Sequence, residues 1–321
     1  MKKRFNIAIQ MDPLEKINPK ADSTYIIVKE AQDRGYKTFH YLPKDISLKN
    51  NNIIVEGYYF KIVDLNKKIL KKQKKKSINL NKFDCVLVRQ DPPFDMEYIT
   101  TTYLLEMISD KVLIINNPTE IRNNPEKLSM FYFKDLIPKT LISRNLFEIE
   151  NFIKKNLYTI LKPLYGSGGE GIQKIKRGSI KNKKIILSMI KKYKGAIIAQ
   201  KFIKEINKGD RRIILIDGNY IGSVARIPKK GSIKANFHAG GYAKKTGLVF
   251  RDKKICKSLQ SYLKKKGLFF TGIDVIGNYL TEINVTSPTG ILEINKLNSM
   301  KIEKIYWDNL EKKLEKKIEA T

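Results

Sequence analysis

The chain has 321 residues, 42% of them hydrophobic, and carries a formal net charge of +31. That length and apolar share bury a sizeable core in two or three subdomains, and no apolar run approaches the roughly 18–20 residues of a membrane helix. Its two cysteines, Cys85 and Cys256, exclude a disulfide framework and fit a reducing cytoplasm.

The first residues, Met1-Lys2-Lys3-Arg4, carry the charge of a secretion signal. Gln10 and Asp12 interrupt the short apolar stretch behind them, so export is not expected. That stretch, residues 5–11, reads as a buried strand ending at Asp12-Pro13. A helix follows over residues 23–33 and stops at Gly35, and residues 36–42 alternate as a strand. The run 67–76 (KKILKKQKKK) is the densest concentration of charge and has no aromatic residues interleaved for base stacking. It reads as a solvated surface helix or loop, and no nucleic-acid partner is expected; the dispersed lysines steer small anions instead. Strands at 83–89 and 112–116 flank a helix over 97–109. This alternation predicts an α/β layer with a parallel sheet, closing near residue 120 at Asn117-Pro118 and Asn123-Asn124-Pro125.

Beyond residue 120 the pattern changes. Residues 126–134 look helical, 139–142 extended, 146–155 helical and 158–162 extended. A glycine cluster (GSGGEG, 166–171), a strand over 172–175 and a helix over 180–193 follow. Strands recur at 196–202, 211–216, 220–226, 269–276 and 279–284, with Asp217-Gly218 a hairpin turn between the second and third. An amphipathic helix spans residues 300–318.

Three features carry chemistry. The first is Ile160 to Gly169 (ILKPLYGSGG): a strand ends in Lys162, and Gly166, Ser167, Gly168 and Gly169 form a turn whose backbone can approach phosphate. The spacing fits neither a P-loop nor a dinucleotide fingerprint, and an ordinary loop also reads this way. The second is the pair of strands bearing Asp274 and Glu282-Ile283-Asn284. Glu282 and Asn284 share one strand face, with Thr281 and Ile283 on the other. Oxygen donors without His or Cys suit Mg²⁺, although a polar outer face looks the same. The third is Arg212 and Arg226 near the ends of hairpin strands, which suit a transferring phosphoryl group or, equally, a plain surface.

In this order, these pieces resemble the ATP-grasp superfamily. The wording of Met11-Asp12-Pro13, Arg89 to Asp95 (RQDPPFD), Asn124 to Leu128 (NPEKL), Gly209 to Arg212, Ala225 to Pro228 and Glu282 to Pro288 (EINVTSP) is similar to that of the prokaryotic glutathione synthetases. Gln90 stands where a lysine is expected, and Tyr165 where an acidic residue is expected. The resemblance implies an α/β fold: an N-terminal parallel-sheet (pre-ATP-grasp) domain over residues 1–121, then a two-subdomain ATP-grasp fold over 122–321, with subdomains of about 122–200 and 201–315. It implies ATP-dependent ligation of γ-glutamylcysteine and glycine through an acyl phosphate, with Mg²⁺ as cofactor and Mn²⁺ as a substitute. Lys127, Lys162 and Gly166 to Gly169 would hold ATP phosphates, and Gln200, Lys201, Phe202 and Ile203 would meet adenine. Asp274, Glu282 and Asn284 would hold the metal, and Arg226 and Arg212 would serve catalysis. Asp12, Arg89, Asp91 and Ser287 would lie near the dipeptide, and residues 227–242, with Gly231, Gly240 and Gly241, would form a flap. A cytoplasmic homotetramer without membrane or nucleic-acid partners is implied as well. Two other readings stay open: another carboxylate–amine ligase of the superfamily, such as a D-alanine–D-alanine or glutamate-adding ligase, and a basic nucleic-acid-binding protein on a ligase fold.

Overall fold

The computed structural model describes residues 4–19, 21–64, 69–166, 168–236 and 240–319. The chain opens with β1 (Asn6–Gln10), whose side chains are almost all buried, as befits a strand covered on both faces. Helix α1 (Ser23–Asp33) starts where the Asp22 carboxylate accepts bonds from the amides of Thr24 and Tyr25, and it ends before Gly35 at φ 85°. Strand β2 runs over Lys37–Lys49, well past the expected end at residue 42. A tight turn at Asn50 and Asn51, both at positive φ, sends β3 (Asn52–Asp64) back antiparallel to it. Gly57 is required in this hairpin, because a Cβ there would meet the His40 carbonyl oxygen at 2.0 Å.

The described part of the lysine-rich run is strand on either side of a short loop at 73–75, rather than a helix or a loop throughout. It holds β4 (Ile69–Lys72) and leads into β5 (Lys76–Asn79), both paired with β3. Charged residues on such outer strands discourage pairing with another chain. Strand β6 (Cys85–Val88), helix α2 (Met96–Glu106) and strand β7 (Leu113–Ile115) complete the layer. Its sheet has the order β4-β3-β2-β1-β6-β7, parallel from β2 to β7 and antiparallel beyond β2, with β5 beside β3.

The turn region beyond holds a short helix, α3 (Pro118–Asn123), with proline at its start. The helix expected over 126–134 is instead a turn followed by a 3₁₀ segment (Ser129–Leu136) kinked at Phe133. Next come β8 (Thr140–Ser143), α4 (Leu146–Lys154), β9 (Tyr158–Pro163), β10 (Gln173–Lys176), α5 (Asn182–Tyr193) and β11 (Ile197–Lys201). Their sheet is antiparallel, in the order β10-β9-β11-β8, and packs on α4 and α5 through Ile149, Ile186, Leu161 and Ile197.

A second antiparallel sheet, β14-β13-β12-β15-β16, is built from β12 (Asp210–Ile216), β13 (Asn219–Ile227), β14 (Tyr242–Lys245), β15 (Phe270–Ile276) and β16 (Tyr279–Asn284). Asp217 and Gly218, both at positive φ, make the expected β12–β13 turn. Helix α6 (Phe250–Lys265), absent from the sequence reading, covers one face of this sheet through Ile255, Leu259 and Leu263. Helices α7 (Ile291–Asn298) and α8 (Ile302–Glu319) end the chain. Helix α8 packs on α1: Trp307 Nε1 donates to the Ile27 carbonyl at 2.8 Å, and Arg34 reaches Glu311 at 2.7 Å. Asn116, just after β7, bonds the backbone of Phe270 and Val285, tying the first layer to the last sheet. Among the described residues, no helix is long and apolar enough to cross a membrane.

Candidate active site

Residues of the two antiparallel sheets together line a cavity of about 390 Å³. One wall is cationic. Lys162 projects from β9 and Lys127 from the turn before the 3₁₀ segment; both are buried. Burial pushes the Lys162 ammonium down to about 8; Glu282 opposes this and the charge of Lys127 adds to it. Lys127 Nζ donates to the Gly166 carbonyl and stands 3.9 Å from Glu282. Gly166, Gly168 and Gly169 line the same cavity, the last two at φ 62° and 73°. A Cβ on Gly169 would meet Asn236 Nδ2 at 2.8 Å, so this loop lies against the middle of the expected flap. Ser167 lies outside the described residues, as do 237–239 of the flap.

At the other end, the last residues of β11 and the two that follow bring Gln200, Lys201, Phe202 and Ile203 to the cavity. The Gln200 side-chain amide donates to the Thr140 hydroxyl on neighbouring β8 at 2.9 Å. Lys174 sits 4.0 Å over the Phe202 ring. Ile160, Ile203, Ile206 and Ile276 make this end apolar.

Between the ends runs an alternating chain of buried charges. Asp210 and Arg212 are two apart on β12 and share a face. Arg226, opposite Asp210 on β13, grips it with two bonds of 2.6 and 2.7 Å. The same guanidinium reaches Asp274 at 2.9 Å. Arg212 holds Asp274 by bonds of 2.6 and 3.1 Å and donates to the Thr289 carbonyl at 3.1 Å. Burial drives the Asp274 carboxyl up, but the charges and hydrogen bonds of Arg212 and Arg226 outweigh it and hold the group well below the usual carboxylate range. Burial pushes Asp210 up against the pull of Arg226. Arg211, on the opposite strand face, pairs with Asp252 of α6 at 2.8 Å and takes no part.

Asp274 and Glu282 face each other across the β15–β16 pair, and Asn284 follows two residues on. All three line the cavity. Among the described residues no group of three or more His, Cys, Asp or Glu is placed to hold a metal, so the set depends on the Asn284 amide oxygen. Its donors are all oxygens and suit a hard divalent cation. Asp274 Oδ1 accepts one short bond from Arg212 and keeps a lone pair, and Asn284 Nδ2 is spent on the Gly272 carbonyl at 3.1 Å. Thr281 does not lie on the far face with Ile283. A bulge after Asp274 leaves it between the paired Leu280 and Glu282, and its hydroxyl donates to the Asp274 carbonyl at 3.0 Å within the cavity wall.

Asp91 and Ser287 close the cavity on the side of the first layer. Asp12 and Arg89 do not line it. The Asp12 carboxylate accepts the Asp91 amide at 2.9 Å in an adjoining hollow. Arg89 is buried between Thr24 and the Pro288 carbonyl, at 3.0 Å from each. Sequence reasoning missed three cavity carboxylates, Asp210, Glu126 and Glu170. All were written inside motifs already noticed, Gly209 to Arg212, NPEKL and GSGGEG, and the alternation Asp210/Arg212 was the available signal for the first. Burial pushes the Glu126 carboxyl up, the Thr286 hydroxyl and Lys127 oppose this, and the charge of Glu282 adds to it.

The N-terminal domain model of the prokaryotic glutathione synthetases matches residues 5–122, and the ATP-grasp domain model of the same family matches residues 126–299. The chain is 42% identical over 314 residues to a glutathione synthetase of Agrobacterium fabrum, covering 98% of each protein. It is 41% identical over 316 residues to one of Buchnera aphidicola, again covering 98% of each. Among solved structures, a D-cycloserine synthetase superposes with a TM-score of 0.68 at 12% identity, over 96% of this chain and 99% of that one. The D-alanyl-alanine synthetase A of Vibrio cholerae superposes with a TM-score of 0.59 at 14% identity, over 98% and 99%. At such identities these two likenesses concern the ATP-grasp fold alone.

Proposed function

The chain belongs to the prokaryotic glutathione synthetase family, and from that membership we propose which of its residues carry out the ATP-dependent joining of γ-glutamylcysteine to glycine that forms glutathione. The family's reaction activates a carboxylate as an acyl phosphate, which an amine then displaces. A carboxylate is a poor acylating agent, so phosphorylation supplies the leaving group, and the protein has to position anions and neutralise their charge. The observation that carries the assignment is that Lys127, Lys162, Arg212, Arg226, Asp274, Glu282 and Asn284 surround one cavity.

In this reading Lys127, Lys162 and the glycine loop, Ser167 included, hold the phosphates, and the backbone of Lys201 to Ile203 meets adenine between Ile160, Ile206 and Ile276. Asp274, Glu282 and Asn284 hold the divalent ion that the ligases of this superfamily use with ATP. We assign Mg²⁺, with Mn²⁺ as a substitute; when bound it neutralises phosphate charge. Arg226, with Arg212 behind it, follows the charge that builds on oxygen during acyl transfer. Asp91 and Ser287 receive the dipeptide, with Asp12 and Arg89 shaping that end from behind. Residues 1–121 and 122–321 are the two domains, the latter dividing near residue 200, in a cytoplasmic homotetramer that binds neither membrane nor nucleic acid. The test is phosphate release from ATP, expected only when γ-glutamylcysteine and glycine are both present. Release driven equally by D-alanine, or by no acceptor, overturns the substrate assignment.

Two further outcomes follow from the cavity. A polyphosphate brought to Lys162 restores its charge, so nucleotide binding near pH 8 should take up about half a proton from solution. The sign follows from a lysine whose folded value lies below its unfolded 10.5: the free protein gains stability as pH rises from about 8 toward 10.5, and nucleotide affinity falls. Calorimetry of ADP binding in buffers of different ionisation heat measures the uptake. Lys162→Arg, which stays charged, should abolish it. The second outcome concerns the flap. Ile233 to Asn236 line the cavity, and a Cβ on Gly241 would meet the Ala235 carbonyl at 2.1 Å. Gly241→Ala should therefore displace this segment, slow turnover on the order of tenfold and raise glycine-independent phosphate release, as expected when a water-excluding cover is disturbed. Unchanged coupling of ATP use to glutathione in that variant would remove the flap from the mechanism.

A further inference from the structure

The turn at Glu126 and Lys127 fastens the phosphate wall of the cavity to the strand that carries Glu282 and Asn284. Strand β16 is at the edge of its sheet, so its outer side has no strand to complete it. The Glu126 carbonyl fills part of that gap by accepting the Ile283 amide at 3.0 Å. Its carboxylate Oε1 accepts the Thr286 hydroxyl at 2.7 Å, just past the end of the strand. The two bonds therefore fall on either side of Asn284. From the next residue, Lys127 reaches back to Gly166 and lies beside Glu282. An edge strand held on one side only opens more readily than a central one, and metal ligands need support from residues behind them to keep their direction.

We infer that Glu126 is a positioning residue: its carboxylate anchors Thr286 and so fixes the direction in which β16 presents Glu282 and Asn284 to the metal. The inference rests on reading Asp274, Glu282 and Asn284 as the metal set. Glu126→Gln keeps a carbonyl oxygen for the Thr286 hydroxyl, whereas Glu126→Ala and Thr286→Val each remove the bond from one side.

The test is titration of Mn²⁺ into the whole enzyme with a non-hydrolysable ATP analogue, followed by the spectrum of free Mn²⁺. Melting curves and a Mg²⁺ dependence of turnover accompany it. Glu126→Ala and Thr286→Val should each weaken Mn²⁺ binding about tenfold, the lower end of the loss typical of such supporting residues. The double variant should be no worse than either single one, and Glu126→Gln should stay within about twofold of the parent. Turnover at saturating Mg²⁺ should recover in all of them. Normal Mn²⁺ binding by Glu126→Ala overturns the inference. So does a Glu126→Gln variant that binds Mn²⁺ normally yet turns over as poorly as Glu126→Ala, because the charge or a proton would then be what matters. Glu282→Gln in the same titration separates the two levels. If it too binds Mn²⁺ normally, the metal assignment fails; if it alone binds weakly, only the role of Glu126 does.

Discussion

Glu282→Gln is expected to melt like the parent and to lose turnover by about 10² or more, the scale of a lost electrostatic contribution to catalysis. Glutamine keeps the shape of the side chain beside Lys127 and removes only its charge. Excess Mg²⁺ should partly restore activity, since the defect lies in affinity for the ion. A second consequence comes from Lys162. Glu282 is the carboxylate that most favours its charged form, against burial and Lys127. Without it Lys162 loses its proton at still lower pH, so the alkaline limb of the rate profile should move down relative to the parent. Asn284→Ala should repeat the metal defect more mildly, since only a neutral ligand is lost. Thr281 is no neutral control, because its hydroxyl is bonded into the Asp274 backbone inside the cavity wall. A magnesium titration of phosphate release at several pH values checks all of this. Near-normal turnover of Glu282→Gln at low Mg²⁺ would place the metal elsewhere.

Arg226→Lys should lower kcat by about 10² to 10³ while changing nucleotide affinity by only a few fold, as for a removed oxyanion donor. The guanidinium spans Asp210 and Asp274 at once, and a single ammonium cannot reproduce that fork. One of the two carboxylates is then left without its hydrogen bonds. Among the described residues Asp210, which burial already pushes up, has no second arginine bonded to it, so it is the one that takes up a proton. Removing the cation altogether, as in Arg226→Leu, should cost stability on the scale of a broken buried ion pair, about 3–5 kcal/mol. The lysine variant is therefore the informative one. Steady-state kinetics beside equilibrium binding of an ATP analogue separates the roles: lost nucleotide binding with kcat retained would make Arg226 a nucleotide clamp.

Much of this site could be read from strand periodicity. Glu282 and Asn284 two apart, Arg212 and Arg226 on hairpin partners, and Lys162 at the end of an apolar strand all follow from alternation along β-strands, and all line the cavity. What failed was local geometry that alternation ignores. The bulge after Asp274 turned Thr281 toward the cavity, and nothing in the residue types there marks a bulge. The hairpin of β2 and β3 was missed because its turn is Asn50-Asn51 rather than a glycine pair, and because lysines interrupt the alternation on its exposed face. Helix α6 went unread because lysines and polar residues crowd its surface, although Ile255, Leu259 and Leu263 keep helical spacing. The arginine partners could not be assigned from sequence at all: Asp210, Arg226, Asp274 and Arg212 meet only when three strands come together.

Helix α8 has a consequence for how the protein comes into being. Tyr306, Trp307, Leu310 and Leu314 belong to the same apolar cluster as Phe5, Ile7, Ile27 and Val28. On the ribosome the first layer therefore emerges without the side chains that finish it, and α1 waits with an uncovered apolar face while the remainder is made. At bacterial rates of roughly 5–20 residues per second, that wait is on the order of ten seconds or more. The layer therefore lacks part of its core during synthesis, and residues 306–314 have to reach it after the intervening sheets are made. A premature stop ahead of Ile302 then leaves more than a shortened ligase: it exposes the start of the chain to proteases and to self-association.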